Sequence, residues 1–203
     1  MIVALISGRG SNLQALLEAG LPVTAVISNR ADVKGLELAR SRGVPASVVA
    51  HTAFGSREAF EQALGAEIDR FTPRLVVLAG FMRVLGAAFV ERYRGRMLNI
   101  HPSLLPAFPG LDTHARALAA GVKVHGCTVH LVTAEVDHGP IVIQAAVPVA
   151  PDDTPASLAA RVLRQEHVIY PRAARWFLED RLVISDAAVR VKGSDAQLVF
   201  SSD

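Results

Sequence analysis

Three polar residues, Asn99, His101 and Asp137, have the types and spacing to stabilise one developing negative charge. Asn99 and His101 lie in the run Met97-Leu-Asn-Ile-His-Pro-Ser-Leu-Leu-Pro106, and Asp137 lies in Val136-Asp-His-Gly-Pro140. Residues two apart on a strand face the same side. A strand ending near Ile100 therefore turns the carboxamide and the imidazole into one space. Two donors aimed at one point are what the tetrahedral oxyanion of acyl transfer needs. A buried carboxylate near His101 favours the imidazolium form. Aspartate in a turn between two strands is by itself commonplace. Asp137 gains weight because a carboxylate partner is what His101 lacks.

A second constellation is Ser7-Gly-Arg-Gly-Ser-Asn12, which leaves an apolar run and opens a helix. Backbone N–H groups at a helix N-terminus make an anion site. The turn is not the dinucleotide fingerprint, because Leu13 stands where the third glycine would fall, and no P-loop Gly-Lys-Ser/Thr is present. Phosphate binding and a plain strand-to-helix turn both fit it. A third stretch, Leu78-Ala-Gly-Phe-Met-Arg-Val-Leu85, leaves a buried strand through Gly80. A flat heteroaromatic ligand lying against Met82, Val84 and Leu85 while pairing with their backbone is one reading; core filling is the other. Glu166, in Gln165-Glu-His-Val-Ile-Tyr170, is either a polar ligand contact or part of a solvated helix face.

Seven histidines raise the question of a metal. No His-x-x-x-His helix pair or cysteine cluster appears, which argues against zinc. His130, on an expected strand, either lines the site or is a satisfied interior histidine. His114, His125 and His138 read as surface or supporting groups. Cys127, the sole cysteine, reads as a small buried residue at the start of a strand rather than a nucleophile. One cysteine permits no disulfide within the chain, which fits a reducing, cytoplasmic setting.

Alternating strands and helices must position these groups. Strands are expected at 1–7, 23–28, 46–50, 75–79, 98–100, 127–133 and 141–149. Helices are expected at 13–19, 35–42, 57–71, 85–93, 113–120 and 155–178, the first capped by Ser11 or Asn12 and the last bent near Pro171. Residues 102–110, with three prolines and a glycine, form an ordered loop. Residues 183–199 form a small terminal ribbon, and 201–203 fray. The pattern is α/β: a three-layer, Rossmann-like fold with a mainly parallel twisted sheet of about seven strands and helices on both faces. Ligands of such folds gather at the carboxyl ends of the strands. The glycine turn, the loop after Ala79 and the stretch from Asn99 should share that edge.

With 203 residues, 51% of them hydrophobic and 20% charged, the chain is most simply one globular domain. A net charge of +2 gives no ground for general nucleic-acid affinity. The only lysines are Lys34, Lys123 and Lys192, too sparse to make Schiff-base chemistry attractive. The apolar opening Met1-Ile-Val-Ala-Leu-Ile6 lacks a basic leader, and nothing reaches a membrane-spanning length.

Taken together these runs resemble the folate-dependent glycinamide ribonucleotide formyltransferases of purine synthesis. The likeness runs from Ile6-Ser-Gly-Arg-Gly-Ser-Asn-Leu13 to about Trp176. It includes Ala79-Gly-Phe-Met-Arg83, Leu98-Asn-Ile-His-Pro-Ser-Leu-Leu-Pro106, Phe108-Pro-Gly110, Thr113-His114 and Val136-Asp-His-Gly-Pro140. The Asn-Ile-His-Pro stretch is typical of folate formyltransferases generally, and the Gly-Arg-Gly-Ser-Asn turn of this branch. Leu131 and Ala134 depart from the family's usual aromatic and acidic residues, and the segment around Gly20-Leu-Pro22 is short.

The resemblance implies one formyltransferase domain over 1–203. Its phosphate-binding half is roughly 1–80, its folate-binding and catalytic half roughly 81–180, and its ribbon 181–203. It implies catalysis by His101, Asn99 and Asp137. It assigns Gly10, Ser11, Asn12 and Glu166 to the ribonucleotide, and Arg57, Met82, Arg83, Val84, Leu85 and Asn99 to the folate. The co-substrate would be 10-formyltetrahydrofolate, with no metal. The partners would be those two small molecules, not nucleic acid or membrane, with a homodimer left open. A formyltetrahydrofolate hydrolase would use water as acceptor with the same Asn/His/Asp set, a methionyl-tRNA formyltransferase would usually bring a further C-terminal domain and a more basic surface, and a non-catalytic nucleotide-binding domain would explain the glycine turn alone.

Overall fold

The computed structural model describes residues 1–185 and 188–201. The ribbon and fraying expectations that touch 186, 187, 202 and 203 lie outside the described residues. The chain divides into two compact units, Met1–Asn99 and Ile100–Asp203.

In the first unit, the elements run β1 (Ile2–Ile6), α1 (Ser11–Glu18), β2 (Val23–Ser28), α2 (Lys34–Ser41), β3 (Ala46–Val48), α3 (Arg57–Asp69), β4 (Leu75–Leu78), α4 (Ala87–Arg92) and the start of β5 (Met97–His101). β1 is central, flanked in parallel by β2 and β4. β3 extends the sheet beyond β2, and Met97–Asn99 of β5 extend it beyond β4, again in parallel. Strands covered on both faces need continuous apolar runs. Every residue of Ile2–Ile6 and Leu75–Leu78 is buried accordingly. Burying each such Ile, Leu or Val contributes ~1.5–3 kcal/mol. α3 packs Phe60, Leu64 and Ile68 inward, and its N-cap Ser56 accepts from Ala59 N at 3.1 Å. Because β1, β4 and β5 are parallel neighbours, their carboxyl ends share one edge. The glycine turn, the 80–86 segment and Asn99 follow or occupy those ends.

In the second unit, the elements are α5 (Thr113–Ala119), β6 (Val124–Leu131), β7 (Ile141–Pro148), α6 (Pro155–Leu178), β8 (Leu182–Ile184), β9 (Val189–Val191) and β10 (Leu198–Phe200). β6 and β7 are antiparallel, and β10 runs parallel to β7. α6 begins with a reciprocal cap: Ser157 N donates to Thr154 Oγ1 at 3.1 Å, and Thr154 N donates to Ser157 Oγ at 2.9 Å. It continues through Pro171 as one helix and buries Leu158, Val162, Ile169, Tyr170 and Trp176.

The α/β class and its mainly parallel strands are as expected, but eight strands pair in the α/β sheet rather than about seven. The additional strand is β10, in the segment expected to be only a terminal ribbon. β8 and β9 do form that two-stranded ribbon. Leu198–Phe200 instead lies along β7, held by Gln144 N donating to Gln197 O and Ser201 N donating to Ala146 O. Three residues are too few for alternation to announce a strand.

Candidate active site

The glycine turn joins β1 to α1. Gly10, expected only as part of the turn, is itself the N-cap at φ +81°, and no side chain caps the helix. The expectation that Ser11 or Asn12 caps it is corrected: both already lie in the first helical turn. Only a residue without Cβ enters this region cheaply. A Cβ on Gly10 would also stand 2.7 Å from the Gly35 Cα. Gly35 N, at the start of α2, donates to Gly8 O at 3.1 Å and fixes the turn from outside. An uncapped helix start with a held glycine loop is suited to an anion.

Ser7, the last residue before this turn, is buried. Its hydroxyl donates to Asn29 Oδ1 at 2.6 Å and accepts from Met82 N at 2.8 Å. Its backbone N donates to Gly80 O at 3.1 Å. The segment after β4 is thereby tied to the end of β1. Within that segment Phe81 and Leu85 are buried, while Met82, Arg83 and Val84 face solvent. Arg57, at the start of α3, is half exposed, with Nε 3.9 Å from the buried Glu61 carboxylate. Leu85 therefore serves the core as well as the edge of the stretch.

The second unit assembles the histidines. β5 carries Asn99 and His101 at alternate positions, so both side chains leave the same side of that strand. His101 is buried, with Nδ1 3.4 Å from Asp137 Oδ2 and Nε2 3.0 Å from Phe108 O. His130, on β6, places Nδ1 2.9 Å from Leu131 O and Nε2 3.7 Å from Asp137 Oδ1. Each ring thus turns one nitrogen to a backbone carbonyl and the other to Asp137. Gly110 N donates to Asp137 Oδ2 at 2.9 Å, and Asp137 sits at φ +58°.

The electrostatics differ from the expectation that Asp137 keeps His101 charged at rest. Burial pushes the His101 pKa down, and the raising effects of the Phe108 carbonyl and Asp137 do not recover it; the net shift is downward. Burial likewise pushes Asp137 up, but contacts with His130, Gly110 N–H and His101 outweigh it, leaving the carboxyl below its ordinary value. The resting site is therefore an ionised carboxylate between imidazoles, one of which favours the neutral form.

The 102–112 loop holds this arrangement by side chains from β6 and β7. Thr128 Oγ1 donates to Ser103 O at 2.7 Å and accepts from Leu105 N at 3.1 Å, while Gln144 Nε2 donates to Leu105 O at 2.9 Å. Thr113 Oγ1 donates to Pro102 O at 2.7 Å. Neither Thr128 nor Gln144 was singled out from sequence. Their polarity within buried strands was the available signal. His125 is fully interior rather than a surface group, edge-on to His114 at 5.2 Å and to Phe108 at 5.9 Å. His138 is exposed, as expected.

The structure brings His101 and Asp137 together and adds His130, which sequence left undecided. Glu166 is buried on α6 near Cys127 rather than on a solvated face. The Cys127 thiol is fully buried and pushed well up by that burial and by Glu166, which removes it as a nucleophile at neutral pH. Among the described residues no group of three or more His, Cys, Asp or Glu is placed to hold a metal ion, and no helix is long and apolar enough to cross a membrane.

Comparison with known proteins agrees with this layout. The formyl transferase family matches residues 1–174. The chain belongs to that family. It is 50% identical over 198 residues to the phosphoribosylglycinamide formyltransferase of Escherichia coli strain K12, covering 95% of this chain and 93% of the relative. It is 47% identical over 192 residues to the trifunctional purine biosynthetic protein adenosine-3 of Drosophila melanogaster, where it spans 91% of itself but 14% of that protein. The solved phosphoribosylglycinamide formyltransferase of Coxiella burnetii superposes with a TM-score of 0.91 at 50% identity, covering 95% of this chain and 93% of that one.

Proposed function

We propose that this chain transfers the formyl group of 10-formyltetrahydrofolate to the amine of N1-(5-phosphoribosyl)glycinamide, giving the formylated ribonucleotide and tetrahydrofolate in de novo purine synthesis. The observation that carries the chemistry is the buried His101–Asp137 pair, with His101 two residues along β5 from Asn99, in a chain half identical to a phosphoribosylglycinamide formyltransferase.

The amine attacks the formyl carbon directly, and no enzyme nucleophile takes part. A tetrahedral intermediate forms with an oxyanion and an ammonium nitrogen. Asn99 donates to the oxyanion, and so does protonated His101 as its Nε2–H exchanges the Phe108 carbonyl for that oxygen. Because burial favours the neutral ring at rest, His101 gains its proton as the ammonium nitrogen forms, and the Asp137 carboxylate stabilises the resulting imidazolium. The bond between the formyl carbon and the folate nitrogen then breaks, and the proton passes to that nitrogen through His101 or water. Holding both substrates in line adds a proximity contribution.

In this reading Gly10, Ser11 and Asn12 bind the phosphate, supported by the uncapped α1 start. Glu166 contacts the ribonucleotide. Arg57 and Met82–Leu85 hold the folate, supported by the exposed Met82 and Val84 beside a buried Phe81. The chain acts as one formyltransferase domain in a reducing cytoplasm, a setting that suits its single unoxidised cysteine.

The test is to mix the protein with 10-formyltetrahydrofolate, with and without the glycinamide ribonucleotide. Formyl loss that depends on the acceptor supports the transferase. Loss without acceptor marks a hydrolase, and no loss marks a nucleotide-binding domain; either would overturn the reading.

A further inference from the structure

We infer that Glu61 is a positioning residue for the folate co-substrate, acting through the Met82–Leu85 segment. The inference rests on the transferase reading above, which gives that segment to the folate.

Residues 80–86 form neither helix nor strand, yet two side chains pin the ends of the stretch. At one end the Ser7 hydroxyl accepts Met82 N–H at 2.8 Å. At the other the Glu61 carboxylate, on α3, accepts Gly86 N–H at 2.6 Å. Glu61 is buried, with 9% of its side chain exposed. A buried carboxylate is costly unless bonded, and the Gly86 N–H supplies that bond. A short N–H to carboxylate bond is among the stronger hydrogen bonds. Gly86 makes it fit: an added Cβ would stand 2.9 Å from Glu61 Oε2. The same carboxylate lies 3.9 Å from Arg57 Nε, one helical turn away. Glu61 therefore fixes the end of the exposed segment and, with Glu58 at 3.7 Å, is one of two carboxylates near the Arg57 guanidinium.

Between the posts, Phe81 and Leu85 point inward while Met82 and Val84 stand 65% and 61% exposed. An extended segment hung this way presents apolar side chains and backbone edge to a planar ligand without having to order on binding. Release of one post would let it wander, and ligand binding would then carry the ordering cost.

The experiment compares Glu61→Ala, Glu61→Gln and Gly86→Ala with the wild-type enzyme in steady-state formyl transfer, and measures tetrahydrofolate binding by calorimetry. Loss of a hydrogen bond to a charged group corresponds to ~10-fold or more. Glu61→Ala and Gly86→Ala should raise the folate KM, and the tetrahydrofolate Kd, by about that factor. The ribonucleotide KM should stay within about twofold and kcat should fall less than KM rises, because the Asn99 and His101 donors are untouched. Glu61→Gln keeps an acceptor and should recover most of the affinity. An unchanged folate KM, an equal rise in both KM values, or a Gln variant as impaired as Ala would overturn the inference. Should Glu61→Ala not fold, Ser7→Ala tests the other post by the same readings. A wild-type enzyme without acceptor-dependent transfer would instead fail the transferase reading, which separates the two outcomes.

Discussion

Nδ1 of His101 lies 3.4 Å from Oδ2 of Asp137 while its Nε2 faces the Phe108 carbonyl at 3.0 Å, so both nitrogens of a buried ring address acceptors. That geometry wants two protons on the ring, and burial wants one. The conflict makes the ring a place where a proton can arrive and leave during the reaction.

Asp137→Asn tests the carboxylate's part in that conflict. The amide can still accept from Gly110 N, so the turn is kept, but of the two influences raising His101 only the Phe108 carbonyl remains. The His101 pKa then falls further, and the ionisation seen in kcat/KM against pH moves to lower pH. Turnover drops on the order of 100-fold. A profile that stays in place or moves up would contradict this arrangement.

Acid should unfold the protein earlier than its carboxylates alone require. His125 is interior, and burial, then the nearby His114, push its pKa down to about 4 from 6.5. His101 and His114 are also lowered, mainly by burial. Between pH 6.5 and about 4 the unfolded chain binds protons that the folded one refuses, so the stability is whole above 6.5 and is lost as pH falls through that window. Each such proton contributes up to about 1.4 kcal/mol per pH unit. Urea midpoints measured from pH 7.5 downward should fall, and His125→Gln should flatten the slope. A slope that His125→Gln leaves unchanged would refute the assignment.

Gly10→Ala probes the turn proposed to hold the phosphate. The new Cβ would meet Gly35 at 2.7 Å at a backbone angle of +81°. Strain of this kind costs ~1–3 kcal/mol. The thermal midpoint should fall and the ribonucleotide KM should rise more than the folate KM. Equal effects on both would separate the turn from the phosphate.

Activity should survive a chelator. In the proposed mechanism the charge on the oxyanion is met by Asn99 and His101, and among the described residues no group of three or more His, Cys, Asp or Glu is set to hold a metal. Loss of turnover with EDTA, restored by added zinc, would contradict the assigned chemistry.

The residues made much of this legible beforehand. Short continuous apolar runs such as Ile2–Ile6 and Leu75–Leu78, ended by turn residues and alternating with helices, read as doubly covered strands, and the parallel sheet followed from them. Asn99 and His101 could be placed on one side because strand alternation is rigid. Asp137 could be paired with His101 only by asking what an imidazole lacks. What escaped reading depended on contacts remote in sequence. Nothing in the helix expected at 57–71 marked out Glu61, since its partner, Gly86, lies 25 residues on. His130 could not be decided because its value comes from Asp137 meeting two rings at once. The resting charge of His101 escaped because it is a balance between burial and nearby acceptors, and the depth of a histidine at a strand end is not written in its neighbours.

The most direct measurement is the single-turnover rate of formyl transfer by His101→Ala and Asn99→Ala, with both substrates saturating and folding confirmed by the thermal midpoint. Each variant should transfer ~100- to 1000-fold more slowly than wild type. Near-wild-type transfer by either one would contradict the claim that the carboxamide and the imidazole together carry the developing oxyanion.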